Sequence, residues 1–432
     1  MKIKVSSLLN FTEYCTVAFL FGISLINNYL LLLALAGSLY YLFKGRNGLL
    51  KLLTIISIRY IVSPGIDQTT LQSVISVYKF ALIFGFGTIV MMIFYKEILK
   101  NSLLIQFLLS TVFIMLIYLA FGIASSSQPI LVIGKSFTYF YTLILIVTLL
   151  FINNKNKNFI DWLSAILSLV IMASLIFIRN STGYLLNGFS FQGILNHPNL
   201  FGVFIALALS FLIFYIIKYK KRVYLIVVVI FIGLIELFLS NSRTAAIAFI
   251  ASVIILFLFS KISLFKKLFV LIVSLGVTAV VFSIPTVNNY IIEFIQKGQS
   301  SNQILFSRAS QINKLKIGMD QAPFLGSGFG VPINTGSLAL DSYSFEAGNL
   351  IFGLLIYTGI VGTLVYLIYL LYIALIGFKG KNIALILFVA TILVNMGELI
   401  MFSPNSMGIF CYILWGIYLR EGMRNIDEQV SV

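Results

Sequence analysis

A chain of 432 residues that is 60% hydrophobic and 10% charged, with mean hydropathy +1.07, cannot coat a water-soluble globule with polar side chains. Its formal charge of +16 would suit nucleic acid only if the basic residues formed one continuous face, and they fall instead in small clusters between apolar runs. A polytopic membrane protein is the class that remains, with helical spans, because backbone in lipid must satisfy its own hydrogen bonds.

In chain order, apolar runs near the length that crosses a bilayer core of about 30 Å predict spans close to 11–26, 28–43, 52–65, 74–95, 102–123, 130–152, 159–178, 200–217, 223–240, 244–260, 268–284, 349–376, 382–402 and 406–419. With the amino terminus in the cytoplasm, 20 of the 29 Lys and Arg fall at inner turns, as the positive-inside rule requires. All seven prolines then fall on the outer side, from Pro64 and Pro129 to Pro404. The first hairpin, turned by Asn27-Asn28, and the third span, which is short and holds Arg59, are the weakest of the series. Losing one of them alone would invert everything after it, so twelve or fourteen spans fit the charges better than thirteen. The expected fold is all-α: a polytopic transmembrane helical bundle with 12 to 14 spans, one membrane domain over 1–432, both termini cytoplasmic, and one long extracytoplasmic loop at 285–348. Cys15 and Cys411 lie inside spans and read as small apolar residues, not as a disulfide or metal pair.

The outer segments 179–199 and 285–348 are long enough to fold over the bundle and cover a site. The short inner loops hold neither a phosphate-binding Gly-rich loop with Lys-Ser/Thr nor a dinucleotide fingerprint, so a substrate would arrive already activated. Nine basic residues escape the inner turns: Arg59, Lys79, Lys135, Arg179, Arg243, Lys297, Arg308, Lys314 and Lys316. A charge at membrane depth costs a few kcal/mol unless paired or solvated, so some of these should face a cavity. Arg243, in Ser240-Asn-Ser-Arg243, can grip a phosphate with its guanidinium fork; interfacial snorkelling explains it equally well. Arg308 precedes a short amphipathic helix at 311–319 with Lys314 and Lys316, and then Gly326, Gly328 and Gly330, a pattern that marks a tight loop more often than a phosphate cradle.

His197 stands in Asn196-His-Pro-Asn199, just before a span, where Pro198 and Asn199 suit the start of a helix. It can act as a base or simply bond to backbone, and as the only histidine it does not make a metal site. Glu346 and Asn349 close the long loop. A partly desolvated carboxylate there can take a proton from a sugar hydroxyl, or merely favour the start of the next helix. Glu236 and Glu398 lie within spans, as further candidates or as partners of intramembrane cations.

Together, Asn196-His-Pro-Asn-Leu-Phe-Gly202, Ser242-Arg-Thr-Ala245, Arg308 with Pro323-Phe-Leu-Gly-Ser-Gly-Phe-Gly330, and Glu346-Ala-Gly-Asn349 followed by Gly359-Ile-Val-Gly362 resemble the bacterial O-antigen polymerase and ligase superfamily over about 170 residues of the second half. The resemblance implies a glycosyltransferase in the bacterial cytoplasmic membrane, working on its outer face without cofactor or metal. Donor and acceptor would be glycans linked to undecaprenyl diphosphate in the lipid bilayer, with a flippase and a chain-length regulator as pathway partners and no nucleic acid. It assigns diphosphate binding to Arg243 and Arg308. Glu346 would act on the acceptor hydroxyl, and His197, Asn199 and Asn349 would hold sugar. Ligases of the family resemble a His-Asn pattern where this chain has Glu346 and Asn349, which favours polymerisation into capsule, exopolysaccharide or O-antigen over ligation. A flippase of lipid-linked oligosaccharides is the rival from another class, and it should show two related halves, which this chain lacks.

Overall fold

Apolar helices in this chain repeatedly start at asparagine. In the computed structural model, which describes residues 5–152, 156–260, 263, 265–269, 283, 285, 289, 309–331, 348–378 and 383–430, the side chains of Asn27, Asn101 and Asn349 accept first-turn backbone N–H groups at 2.9, 3.0 and 2.8 Å. A short side-chain oxygen there satisfies donors that have no partner within the helix.

The regular structure of the described residues is helical, with one isolated bridge between Val62 and Leu195. The helices are α1 (Val5–Ile23), α2 (Asn28–Ser38), α3 (Gly45–Tyr60), α4 (Gln72–Ala81), α5 (Gly87–Ile93), α6 (Tyr95–Leu99), α7 (Ser102–Ser125), α8 (Pro129–Ile152), α9 (Asn156–Leu175), α10 (Pro198–Tyr219), α11 (Val223–Leu239), α12 (Arg243–Phe259), α13 (Ala309–Gln321), α14 (Leu350–Gly377), α15 (Leu385–Asn395) and α16 (Gly408–Val430). A π turn at Leu82–Phe86 joins α4 to α5 as one rod. Six helical stretches among the described residues are long and apolar enough to cross a membrane: Gln72–Ile93, α7, α8, Asn158–Leu175, α10 and α14. Thr12–Ile23, α11, α12 and α15 are apolar but shorter. Two expected spans are built differently. The run 28–43 breaks into α2 and a 3-10 turn at Leu39–Lys44, and the run 52–65 is α3, which starts seven residues earlier and stops at Tyr60.

The packing sorts the helix ends into two groups. At one end lie the ion pairs Lys51–Glu13 (2.6 Å), Lys44–Glu13 (3.4 Å), Arg46–Glu97 (2.6 Å), Lys218–Glu421 (2.9 Å) and Lys221–Asp161, each with its basic residue from a turn expected on the inner side. At the other end, Ser63 N–H donates to Ile194 O (2.9 Å), Asn196 N–H to Ile61 O (2.9 Å) and Leu399 N–H to Gly348 O (3.2 Å), joining segments expected outside to the ends of expected spans. Both groups of contacts are compatible with the expected split between basic and proline-bearing turns. Arg59 does not serve as a ligand-facing cation. Its guanidinium grips Asp67 with two bonds of 2.6 and 2.8 Å and also reaches Ser24 and Thr69, so an eight-residue return loop neutralises it.

At the centre stands α10, buried along most of its length and packed against α11, α12 and α15, while α8 packs between α7 and α16. Large apolar side chains such as Phe113 and Leu116 on α7 and Tyr224 and Phe231 on α11 point outward, as a lipid solvent allows.

Part of the segment expected as a long outer loop lies within the bundle. Residues 322–331 wedge into a break in α14, where Gly359 has φ 61° and ψ −168°. Four backbone bonds close the break: Ser327 N–H to Ile356 O (2.9 Å), Gly328 N–H to Tyr357 O (3.0 Å), Ile360 N–H to Pro323 O (2.9 Å) and Val361 N–H to Phe324 O (3.2 Å). Non-helical backbone at this depth is tolerable because protein meets its polar groups. The loop also plants Phe329, 2% exposed, among Tyr118, Tyr139, Phe140, Tyr357 and Phe402. Gly326, Gly328 and Gly330, all at positive φ, are thus the tight-loop reading of the glycine run.

Candidate functional site

Five segments meet at the proline-bearing end: the start of α10, the turn from α11 to α12, the start of α13, the start of α14 and the turn after α15. At the first, Pro198 opens α10 and His197 occupies the cap position, its Nδ1 accepting the Asn199 N–H at 3.1 Å. The cap is His197 itself and not Asn199. An accepting Nδ1 places the ring proton on Nε2, so this imidazole is poorly disposed to act as a base.

Asn199, freed from capping, donates from Nδ2 to Glu398 Oε1 at 2.9 Å. Glu398 is held by the turn after α15, which Asn395 shapes by accepting the N–H groups of Ile400 (2.9 Å) and Met401 (2.8 Å) on its Oδ1. The other carboxylate singled out within the spans, Glu236, is fully buried in α11 and has no hydrogen-bond partner for either oxygen among the described residues.

Arg243 reaches the same place from α12. A Cβ on Gly397 would strike Thr244, so the α15 turn lies directly on the residue after Arg243. A Cβ on Gly202 would come within 2.8 Å of Ser240 Oγ, so the start of α10 packs just as closely on the turn before Arg243. The Leu399 N–H bond to Gly348 brings in the start of α14, and a Cβ on Gly348, at φ 83°, would overlap the Gln311 amide of α13. His197, Asn199, Arg243, Gln311 and Glu398 are half-buried, a solvation suited to holding a polar ligand. Asn196 Oδ1, Ser242 Oγ and Gln311 Oε1 are buried here without a hydrogen-bond partner among the described residues. Buried acceptors of this kind are uncommon and concentrate where a ligand or ordered water completes the bonding.

Of the six residues singled out by sequence, the structure brings His197, Asn199 and Arg243 to this convergence. Asn349 is present as the cap of α14, its Oδ1 taken by Phe352 N–H, and it is buried. Arg308 and Glu346 lie outside the described residues, as does Lys297. Partial burial of the amphipathic helix lowers the Lys314 pKa below the ordinary lysine value. Glu398, noted in the sequence only as a carboxylate within a span, and Gln311 join the site in the structure. Nothing local marks either one, since their partners lie 199 and 37 residues away in the chain.

The family model described as O-antigen ligase matches residues 228–367. That window runs from within α11 to within α14 and contains Arg243, Arg308, the glycine run, Glu346, Asn349 and the Gly359 break; His197, Asn199 and Glu398 lie outside it. The match supports the O-antigen polymerase and ligase superfamily. No curated protein matches the chain.

Proposed function

We propose that this chain, with an O-antigen ligase family segment over residues 228–367, is a membrane glycosyltransferase that polymerises glycan repeats carried on undecaprenyl diphosphate. The reaction takes place on the outer face of the cytoplasmic membrane. The observation that carries the reading is the convergence of Arg243, His197, Asn199 and Glu398 at the mouth of a bundle whose other end is basic. This is a half-buried polar site at a membrane surface, with donors suited to phosphate and sugar.

In the reaction, an acceptor hydroxyl oxygen bonds to the anomeric carbon of the donor, and the bond from that carbon to the diphosphate oxygen breaks. The hydroxyl proton passes to a base, and the lipid diphosphate leaves with the electron pair. Arg243 and Arg308 hold the departing charge, where a fork of N–H donors outperforms a point charge. Glu346 takes the proton or orients the hydroxyl. The His197 Nε2–H donates to substrate oxygen, and Glu398 fixes the Asn199 amide for sugar contact through the 2.9 Å bond. A carboxylate at position 346 favours polymerisation over ligation.

The test is purified protein in liposomes with an undecaprenyl-diphosphate-linked repeat. Lengthened glycan on the lipid supports the polymerase. Transfer only to an added foreign acceptor would make the protein a ligase, and movement of unextended lipid across the bilayer would make it a flippase.

A further inference from the structure

A separate cavity of about 760 Å³ lies between the start of α8 and the turn at 402–405. That volume lies in the range of about 300 to 1,000 Å³ typical of ligand sites. None of the residues that build the first site lines it.

Lys135 is the cavity's charged residue. It is the seventh residue of α8, about 9 Å below Pro129 at 1.5 Å per residue, and it is exposed in the middle of an apolar sequence. No Asp or Glu lines the cavity, and Lys135 makes no ion pair among the described residues. An exposed ammonium at this depth calls for an anion.

The opposite wall is rigid. Asn405 accepts from Ser76 Oγ at 2.9 Å, donates to the Tyr60 hydroxyl at 2.9 Å, and receives the Lys79 ammonium on its carbonyl. Lys79, fully buried behind that wall with its Nζ 4.9 Å from the Tyr60 ring centre, is thereby a positioning residue for the cavity. Phe80, Ile130, Leu131 and Phe402 make the rest of the lining largely apolar. At the cavity's edge α8 exposes Ile130, Ile133 and Phe137, so the apolar lining runs on into side chains that face lipid.

We infer that this cavity binds the phosphate head of a membrane lipid, with Lys135 on the phosphate and the lipid chain leaving across Ile130 and Ile133 into the bilayer. A free anion would use the ammonium but not the apolar wall, and an uncharged lipid would use the wall but leave the ammonium unpaired. The glycine loop docked on α14 also touches the cavity: Gly330 lies against the Lys135 side chain, a Cβ there falling 3.0 Å from Lys135 Cβ. The turn that carries Glu398 continues within a few residues to Phe402 and Asn405. Polymerisation joins two lipid-linked glycans, and this cavity supplies the second lipid berth; that last identification rests on the polymerase reading, whereas the lipid-phosphate assignment does not.

Native mass spectrometry of the full chain, titrated separately with undecaprenyl diphosphate, undecaprenol and inorganic pyrophosphate, tests the inference. Wild type should hold two undecaprenyl diphosphates. Lys135→Gln should weaken one of them about tenfold, the scale of one charge-assisted hydrogen bond, and Lys135→Arg should restore it. Because Lys135 is exposed, neither change endangers folding. An unchanged isotherm for Lys135→Gln overturns the inference. So does pyrophosphate binding as tightly as the lipid, which would mean a free-anion site, or undecaprenol binding as tightly, which would mean an apolar groove. Arg243→Lys separates the two claims: if it keeps both lipids while Lys135→Gln loses one, the cavity stands and the diphosphate role of Arg243 falls.

Discussion

Gly359→Ala is the sharpest probe of how the long loop is tied to the site. At φ 61° and ψ −168° the backbone occupies a region open essentially to glycine, and an L-residue there costs about 1–3 kcal/mol. Alanine also brings a Cβ into the carbonyl group of Phe324, a backbone obstacle that cannot rotate away, so the upper end of that range applies. Against this stand four loop-to-helix hydrogen bonds, each worth about 1 kcal/mol net, and the burial of Phe329, worth about 2–3 kcal/mol. The loop therefore stays mostly docked in the variant, but its open population rises. A penalty of about 3 kcal/mol corresponds to about 10²-fold. Hydrogen exchange followed by mass spectrometry in detergent reads this directly. The amides of Ser327, Gly328, Ile360 and Val361 should exchange about 10²-fold faster in Gly359→Ala, while those near Tyr369, two turns further along α14, should not change. Exchange at the four amides within threefold of wild type, in protein that expresses normally, would refute the docking argument.

Glu346→Gln should leave membrane levels and lipid binding intact and slow glycan lengthening by about 10² to 10⁴, the usual cost of a lost general base; full-length polymer from this variant makes Glu346 a helix-start charge only. Arg243→Lys and Arg308→Lys each keep one charge but lose the fork, and turnover measured at matched protein levels should fall in both. Asp67→Asn leaves Arg59 buried against a neutral group and should destabilise the protein by about 3–5 kcal/mol, seen as reduced membrane abundance with unchanged activity per molecule. Cysteine placed at Phe189, which is 84% exposed at the proline-bearing end, should react with an impermeant maleimide on intact cells, and cysteine at Lys96 should not; the opposite pattern inverts the topology.

How far these features are readable in the sequence depends on how far apart their parts lie. Hydropathy and charge act over one span and its flanks, so the helical class and the sorting of turns into two ends follow from runs of about twenty residues. Helix starts are equally local: Asn27, Asn101 and His197-Pro198 carry their own capping chemistry. Arg59 and Asp67, eight residues apart around a turn, form a pair that an intramembrane cation invites but does not specify, because Asp67 competes on paper with every acid in the chain.

The site itself is assembled across much greater separations. Gly359 reads locally as an ordinary glycine inside a span, and only the Pro323–Gly330 loop, some 30 residues earlier, shows that the helix is broken there and why three glycines in that loop sit at positive φ. The Asn199–Glu398 bond spans 199 residues, and Glu398 carries no local mark beyond being a carboxylate in apolar surroundings. Its energetic logic appears only in the fold. A carboxylate half-withdrawn from water needs a donor, Asn199 can donate because His197 has taken over the capping role, and Gly397 must lack a side chain for the turn to reach Thr244. The small residues that look incidental in the sequence, Gly202, Gly348 and Gly397, are therefore what lets segments from five parts of the chain approach closely enough to make one polar site, and a methyl group at any of them would part α10 from the turn before Arg243, α14 from α13, or the turn after α15 from α12 before touching a functional group.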